Sequence, residues 1–319
     1  MILILGASGY IGRAFVAACE SRELEYRAIS RGGCDYTRYD RLTALLRESK
    51  PEFLVNAAGF TGKPNVDACE VEREATLLGN VVLPQTIACA CETNGVPWFH
   101  VSSGCIYNGA KLEDGGAMRI VEDLSAPDVR ALLGSEPDRF QGFCEDDEPN
   151  FSFAEPPCSF YSGSKALAER ALAGFDNVYV GRLRIPFDEF DGPRNFLSKL
   201  LRYPKVYDNV NSISHRGDYA AAALDLLLKH APFGVYNLTN SGFVTTRQVV
   251  DKLKAKLAPE RDFEFWTDDS EFYRDAAKAP RSNCVLDTTK LSAAGVTMRP
   301  VLEALDDSLA KWQWEEARS

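Results

Sequence analysis

Tyr161 and Lys165 stand four residues apart in Phe160-Tyr161-Ser-Gly-Ser-Lys165. That spacing puts both on one face of a helical pattern continuing through Ala166, Leu167, Ala168 and Leu172. An ammonium beside a phenol favours the phenolate, which predicts a lowered tyrosine pKa and a group able to exchange a proton with a substrate oxygen. Ser103, at the carboxyl end of a strand-like run over Trp98–Ser103, is placed to hold that same oxygen. The same tyrosine and lysine spacing also occurs on amphipathic helices that do no chemistry. What gives it weight is its company, a glycine turn at the start of the chain and a strand end reading Asn56-Ala57-Ala58-Gly59.

These side chains need a scaffold that brings strand ends together, and the first residues predict one. Met1 to Leu5 is an apolar run, Gly6-Ala-Ser-Gly9-Tyr-Ile-Gly12 follows directly, and a helix-periodic segment through Phe15, Val16 and Ala17 comes next. In such a strand, turn and helix, Gly6 allows the tight turn, Gly9 lets backbone approach a pyrophosphate, and Gly12 permits close helix packing. The free N–H groups of the helix start attract phosphate charge. Further strand-like runs at Tyr26–Ile29, Phe53–Asn56, Val178–Leu183 and Val235–Leu238 alternate with helical patterns such as Asp40–Ser49 and Val81–Glu92. The fold class expected is therefore α/β, a Rossmann-type doubly wound parallel sheet with right-handed crossovers and a ligand at the strand ends. After the second strand the chain reads Ile29-Ser30-Arg31, where an NAD site usually carries an acidic residue, so Arg31 favours NADP(H) over NAD(H), or is an ordinary surface arginine.

Composition narrows the partners. The chain has 319 residues, 45% apolar and 26% charged, enough for a large core, and a formal net charge of −10, which argues against a general nucleic-acid binder. No apolar run is long enough to span a bilayer, and the apolar strand begins at Ile2 without a basic signal start, so a cytoplasmic location and no membrane partner are expected. The nine cysteines form no CxxC pair and are read as reduced thiols; with three histidines, no metal site is expected.

Taken together these residues resemble the extended short-chain dehydrogenase/reductases, and within them the sugar-nucleotide reductases that include dTDP-4-dehydrorhamnose reductase and GDP-fucose synthase. Several blocks look closer still to the bifunctional 3,5-epimerase/4-reductases that make UDP-rhamnose. They are Asn56-Ala-Ala-Gly-Phe-Thr-Gly-Lys-Pro-Asn-Val-Asp-Ala-Cys-Glu70, Ser103-Gly-Cys-Ile-Tyr107, Pro193-Arg-Asn-Phe-Leu-Ser-Lys199, and Ala279-Pro-Arg-Ser-Asn283 leading to Leu286-Asp-Thr-Thr-Lys-Leu291. The resemblance implies Cys105 and Lys199 as acid/base groups for epimerisation, beside Ser103, Tyr161 and Lys165 for reduction. It implies Gly6, Ser8, Gly9, Tyr10, Ile11, Gly12, Arg31, Asn56, Ala57, Ala58, Gly59 and Asn80, with Tyr161 and Lys165, around the cofactor. For a nucleotide-diphosphate sugar it implies Ser103, Cys105, Tyr107, Asn195, Lys199 and Arg281. The plain alternatives are a packed cysteine, a lysine on the polar side of a helix, a turn asparagine and a salt-bridged arginine.

The same resemblance divides the chain into a mainly dinucleotide-binding part over 1–183 and a smaller, mainly substrate-binding carboxyl-terminal lobe over 184–319, with some exchange of strands and a homodimer as the candidate assembly. An insertion over 109–145, longer than in the bifunctional enzymes, is expected to hold a short helix capped by Ser125, with Asp128 in its first turn and Gly134 after its end. It is either a loop shaping access to the sugar or an oligomer contact, or a tolerated surface insertion. Three functions follow: an NADPH-dependent 3,5-epimerase and 4-reductase, a 4-keto reductase alone, or a non-catalytic binding subunit.

Overall fold

The computed structural model describes residues 1–63 and 65–315. Six parallel strands form the central sheet. They are β1 (Ile2–Leu5), β2 (Tyr26–Ile29), β3 (Phe53–Asn56), β4 (Trp98–Ser103), a later strand β8 (Val178–Leu183) and the strand Gly234–Asn237. Their spatial order is Gly234–Asn237, β8, β4, β3, β1, β2, so the order in which the chain adds strands reverses at β1, where β3 lies on one side and β2 on the other. Ligands of open α/β sheets settle outside such a reversal.

The strands are short apolar runs because both faces of the sheet are covered. Leu3, Ile4, Leu5, Phe53, Leu54, Val55, Trp98 and Phe99 are fully buried. One face packs on α1 (Tyr10–Ser21), with Phe15, Phe99 and Tyr219 in mutual contact. The other face packs on α2 (Tyr39–Ser49), and Ile87, Ala90 and Cys91 lie in the same cluster. A short α3 (Arg73–Leu77) runs through a π-turn at Leu78–Val82 into α4 (Leu83–Asn94). The strand Gly234–Asn237 pairs with β8 and belongs to the sheet although it lies beyond residue 183.

The insertion is a folded element. β5 (Ala110–Asp114), β6 (Ala117–Val121) and β7 (Phe140–Gln141) make an antiparallel sheet with β5 in the centre, and α5 (Pro127–Ser135) packs Val129 against it. The expected helix is one residue out of place. Ala126 is the N-cap because Ser125 gives its hydroxyl to Asp123 in a turn before the helix; Asp128 lies in the first turn as expected, and Gly134 lies inside because the helix runs on to Ser135. The apolar face of this unit rests on Val210, Phe243 and Val285 of the second lobe.

The segment that carries Tyr161 and Lys165 is α6 (Phe160–Leu172), capped by Ser159 through the Ser162 N–H at 3.0 Å. Beyond it, α8 (Arg216–Leu228) packs beside α1 on the central sheet through Tyr219, Ala220 and Ala223, while α7 (Phe196–Arg202) and α9 (Thr246–Lys256) build the second lobe. Buried Leu197, Leu200, Val249 and Leu253 of α7 and α9 share a separate core with Val301 and Leu305. None of the described helices is long and apolar enough to cross a membrane. All nine cysteines are free thiols, and no cluster of metal ligands occurs among the described residues.

Candidate active site

The glycine turn sits at the sheet's reversal point, and two of its three glycines, Gly6 and Gly12, are structural necessities. Gly6 has φ +74°, and a Cβ there would stand 2.6 Å from the backbone nitrogen of Ala58. A Cβ on Gly12 would stand 2.1 Å from the Gly6 carbonyl oxygen, so β1, the start of α1 and Ala57–Ala58 after β3 meet in direct contact. Gly9 is the N-cap and offers no side chain to the first N–H groups of α1. That leaves an open, positively polarised helix end fit for a pyrophosphate. Gly59 and Ser8 are exposed along this rim, Ile11 packs into the core beneath it, and Arg31 is exposed in the turn that follows β2.

Tyr10 is used differently from the expectation. Its hydroxyl donates to Asp188 Oδ1 at 3.0 Å, and the Arg216 guanidinium lies 4.4 Å from its ring centre. Tyr10 therefore fastens the glycine turn to the second lobe. Asn56 and Asn80 are likewise fully buried and internally spent. Asn56 Oδ1 accepts from Ala58 N–H at 3.1 Å while its amide meets His100 Nδ1, also at 3.1 Å. Asn80 exchanges two 2.8 Å bonds with the backbone of Phe60 and donates to Ser164 Oγ at 3.1 Å. Both tie down the loop after β3, and Asn80 is the buried residue of the π-turn.

Ser103, Cys105, Tyr161 and Lys165 come together at the end of β4. Ser103 Oγ accepts from Cys105 N–H at 3.2 Å, and Ser103 and Cys105 both act on the Tyr161 phenol. The expected lowering of the phenol's pKa by Lys165 is not what the structure has. Burial and, second to it, the neighbouring Cys105 push Tyr161 up, and Lys165 Nζ donates to the Val101 carbonyl at 3.0 Å rather than to the phenol. Burial brings Lys165 itself down to about 8. A tyrosine that holds its proton is suited to giving it to an oxygen that gains negative charge, which is the direction of a reduction.

Lys199 projects from α7, its pKa lowered by burial and by Arg194, and its ammonium has no hydrogen-bond partner among the described residues. No hydrogen bond joins it to Cys105 or Tyr161. Its helix is tied to the nucleotide side by Arg194, which donates to Thr61 Oγ1 at 3.2 Å and to the Gly62 carbonyl at 3.1 Å.

Three residues expected at the substrate have internal partners in the structure. Tyr107 is fully buried, stacked on Phe143 with ring centres 4.6 Å apart, and its hydroxyl donates to the Asp147 carbonyl at 2.6 Å. Asn195 is fully buried; it caps α7 by accepting from Leu197 N–H at 3.0 Å and donates to Asp188 and Phe190, so it builds the helix that carries Lys199. The Arg281 fork is taken by Asp67, at 2.6 and 2.8 Å. Burial raises the Asp67 pKa, but this pair outweighs it and holds the carboxyl below its ordinary value.

Sequence reasoning missed the buried charges behind the site. Glu169, one turn after Lys165 on the same face, receives Arg182 Nη2 at 2.8 Å and Ser102 Oγ at 2.5 Å. Arg184, 1% exposed, places Nη1 3.1 Å from Cys105 Sγ. Two arginines two residues apart at the end of an apolar strand are the signal that could have found them. Glu70, from the block after β3, accepts the Phe160 N–H at 2.6 Å and steadies the start of α6.

Comparison with known proteins places these features in a group. The family described as RmlD substrate binding domain matches residues 1–314. A bifunctional dTDP-4-dehydrorhamnose 3,5-epimerase/dTDP-4-dehydrorhamnose reductase of Arabidopsis thaliana is 32% identical over 98% of this chain and 92% of its own length. A trifunctional UDP-glucose 4,6-dehydratase/UDP-4-keto-6-deoxy-D-glucose 3,5-epimerase/UDP-4-keto-L-rhamnose-reductase of the same plant is also 32% identical over 98% of this chain, which spans 42% of that longer protein. Among solved structures, a UDP-rhamnose synthase of Acanthamoeba polyphaga mimivirus shares the fold, with a TM-score of 0.80 at 23% identity, covering 97% of this chain and 98% of the other.

Proposed function

The chain belongs to the RmlD substrate binding domain family, and from that premise we propose that it converts a nucleotide-linked 4-keto-6-deoxyglucose into nucleotide-L-rhamnose, by 3,5-epimerisation followed by reduction of the 4-ketone. The observation that carries the reading is Cys105, two residues beyond Ser103 and beside the Tyr161 phenol. A plain proton relay for reduction has no use for a thiol there.

The ketone oxygen at carbon 4 is held by Ser103 and Tyr161. A proton on carbon 3 or carbon 5 is acidic because its removal gives an enolate on that same oxygen. Cys105 takes the proton, and Lys199 returns one to the opposite face, inverting the centre. The dinucleotide fits the cradle at Gly6, Gly9 and Gly12, where any Cβ at Gly6 or Gly12 would collide with backbone; NADPH bound there supplies the hydride to carbon 4. Tyr161, with its pKa raised, gives its proton to the oxygen as that charge develops. Lys165, at about 8, stands behind it as the cation of the relay. Arg31 at the end of β2 is the residue set to meet a 2′-phosphate, which favours NADPH.

The reading is tested by supplying the purified chain with NADPH and UDP- or dTDP-4-keto-6-deoxyglucose and no other enzyme. Formation of nucleotide-L-rhamnose, identified by NMR, is the expected result. The absence of any hydrogen bond between Lys199 and Cys105 favours one rival, a 4-keto reductase alone. In that case NADPH is consumed only after a separate 3,5-epimerase is added.

A further inference from the structure

Arg184 is a buried charge with no carboxylate to balance it. Its side chain is 1% exposed, and its guanidinium makes no ion pair among the described residues. Nη1 donates to Cys105 Sγ at 3.1 Å, and Nη2 donates to Asn211 Oδ1 and to the Ser282 carbonyl, the latter at 2.6 Å. Nε is buried without a partner. Removing a guanidinium from water without an anion costs several kcal/mol, and of the three acceptors only the thiol can become one. The backbone supports the placement at a cost of its own: Ile185, a β-branched residue directly before Pro186, has φ +36°, a conformation worth about 1–3 kcal/mol of strain. The turn that aims Arg184 inward is held against that strain.

Resting on the epimerase reading of this site, we propose that Arg184 is the positioning residue that holds Cys105 as a thiolate, ready to remove the proton beside the ketone. The sulfur lone pair forms the S–H bond as the C–H bond breaks, and the carbon's electron pair moves into the enolate; no oxidant or reductant takes part. The titratable groups that face Cys105 are Tyr161 and Lys165 on α6, Cys284 on the segment after Arg281, and Arg184 itself. Burial pushes Cys284 up to about 11 and raises Tyr161, so neither competes for the guanidinium as an anion near neutral pH.

The test is the pH dependence of alkylation by iodoacetamide in the full chain, read at the Cys105 peptide by mass spectrometry against N-acetylcysteine in the same buffers. Wild-type Cys105 should show a midpoint at lower pH than the reference. Arg184→Met should raise that midpoint by about one pH unit or more, and Arg184→Lys should keep most of the difference. A wild-type midpoint at or above the reference overturns the pair without any variant having to fold, as does a midpoint that Arg184→Met leaves in place. Deuterium wash-in at carbons 3 and 5 of UDP-4-keto-6-deoxyglucose without NADPH is followed in parallel and should drop about a hundredfold or more in Arg184→Met. A low midpoint with no wash-in in the wild type overturns the epimerase reading while keeping the pair. Wash-in with a reference-like midpoint does the reverse.

Discussion

Ser103 and Tyr161 project from a six-stranded sheet and a thirteen-residue helix, whereas Lys199 projects from a seven-residue helix whose first turn hangs on one asparagine. The sheet side is braced by burial. Lys165 is bonded to the Val101 carbonyl, and the Arg182–Glu169 pair beneath it is less than 10% exposed on both sides. The opposite side is braced by polar contacts between lobes: Tyr10 to Asp188, Arg194 to Thr61 and Arg281 to Asp67. Such a division suits a site that holds a ketone oxygen rigidly on one side and admits a sugar through the other. Packed cores give fixed geometry, and lobe interfaces are where closure around a ligand occurs.

Substitutions on the two sides should therefore fail differently. The largest effect is expected from Tyr161→Phe, which should lower the turnover of ketone reduction by about a hundred- to ten-thousand-fold with little change in thermal stability, measured by NADPH consumption and calorimetry. Near-normal turnover would move the proton donor elsewhere. Next is Glu169→Gln, which leaves Arg182 buried and unpaired. Denaturant unfolding should show a loss of about 3–5 kcal/mol, and a loss below 1 kcal/mol would mean the sheet side is not braced by that pair.

Two smaller effects probe the second lobe itself. His215, before α8, has Nε2 3.2 Å from Glu189 and Nδ1 3.1 Å from Asp218 Oδ1. Nδ1 is equally close to the Asp218 N–H, an acceptor geometry open only to the neutral ring. Burial disfavours the imidazolium, but two carboxylates outweigh both effects and push the pKa up to about 9 from 6.5. The stabilisation is full below pH 6.5 and is lost as the pH rises through 9. The melting difference between wild type and His215→Gln, of order 2–3 kcal/mol at low pH, should shrink across that window; a gap that stays constant with pH would contradict the charged pair. Smallest is Asn195→Ala, which removes the α7 cap at a cost of about 1 kcal/mol. Its mark should be a slower epimerisation with reduction of a pre-epimerised ketone preserved, since α7 carries Lys199 alone of the reacting groups.

The same contrast governs what could be read before the structure. The sheet, its strand limits, the glycine turn and the Tyr161–Lys165 helix are local patterns: period-two and apolar runs, glycines at fixed offsets, a four-residue spacing. β2, β3, β4 and β8 begin and end where the pattern puts them. What escaped was set by contacts distant in sequence. Arg281 is 214 residues from Asp67, and Tyr10 is 178 from Asp188, and nothing near either arginine or tyrosine announces its partner. Asn195 and Tyr107 are expected at the substrate only through the resemblance of their blocks to the sugar-nucleotide enzymes. A helix cap and a buried stacked ring have the same sequence signature as a ligand contact. The lowered phenol failed for a related reason: helix spacing brings Tyr161 and Lys165 to one face, but only the fold shows that the Val101 carbonyl takes the ammonium.

The central claim is that one chain carries both kinds of proton transfer in one cleft. It is tested most directly in deuterated water, with wild type and Cys105→Ser each given NADPH and nucleotide-linked 4-keto-6-deoxyglucose, and the sugar product read by NMR. The account predicts rhamnose labelled at carbons 3 and 5 from the wild type, and neither label nor rhamnose from Cys105→Ser, which should still reduce a ketone that has been epimerised beforehand. Unlabelled carbons in the wild type, or full labelling in the serine variant, would contradict it.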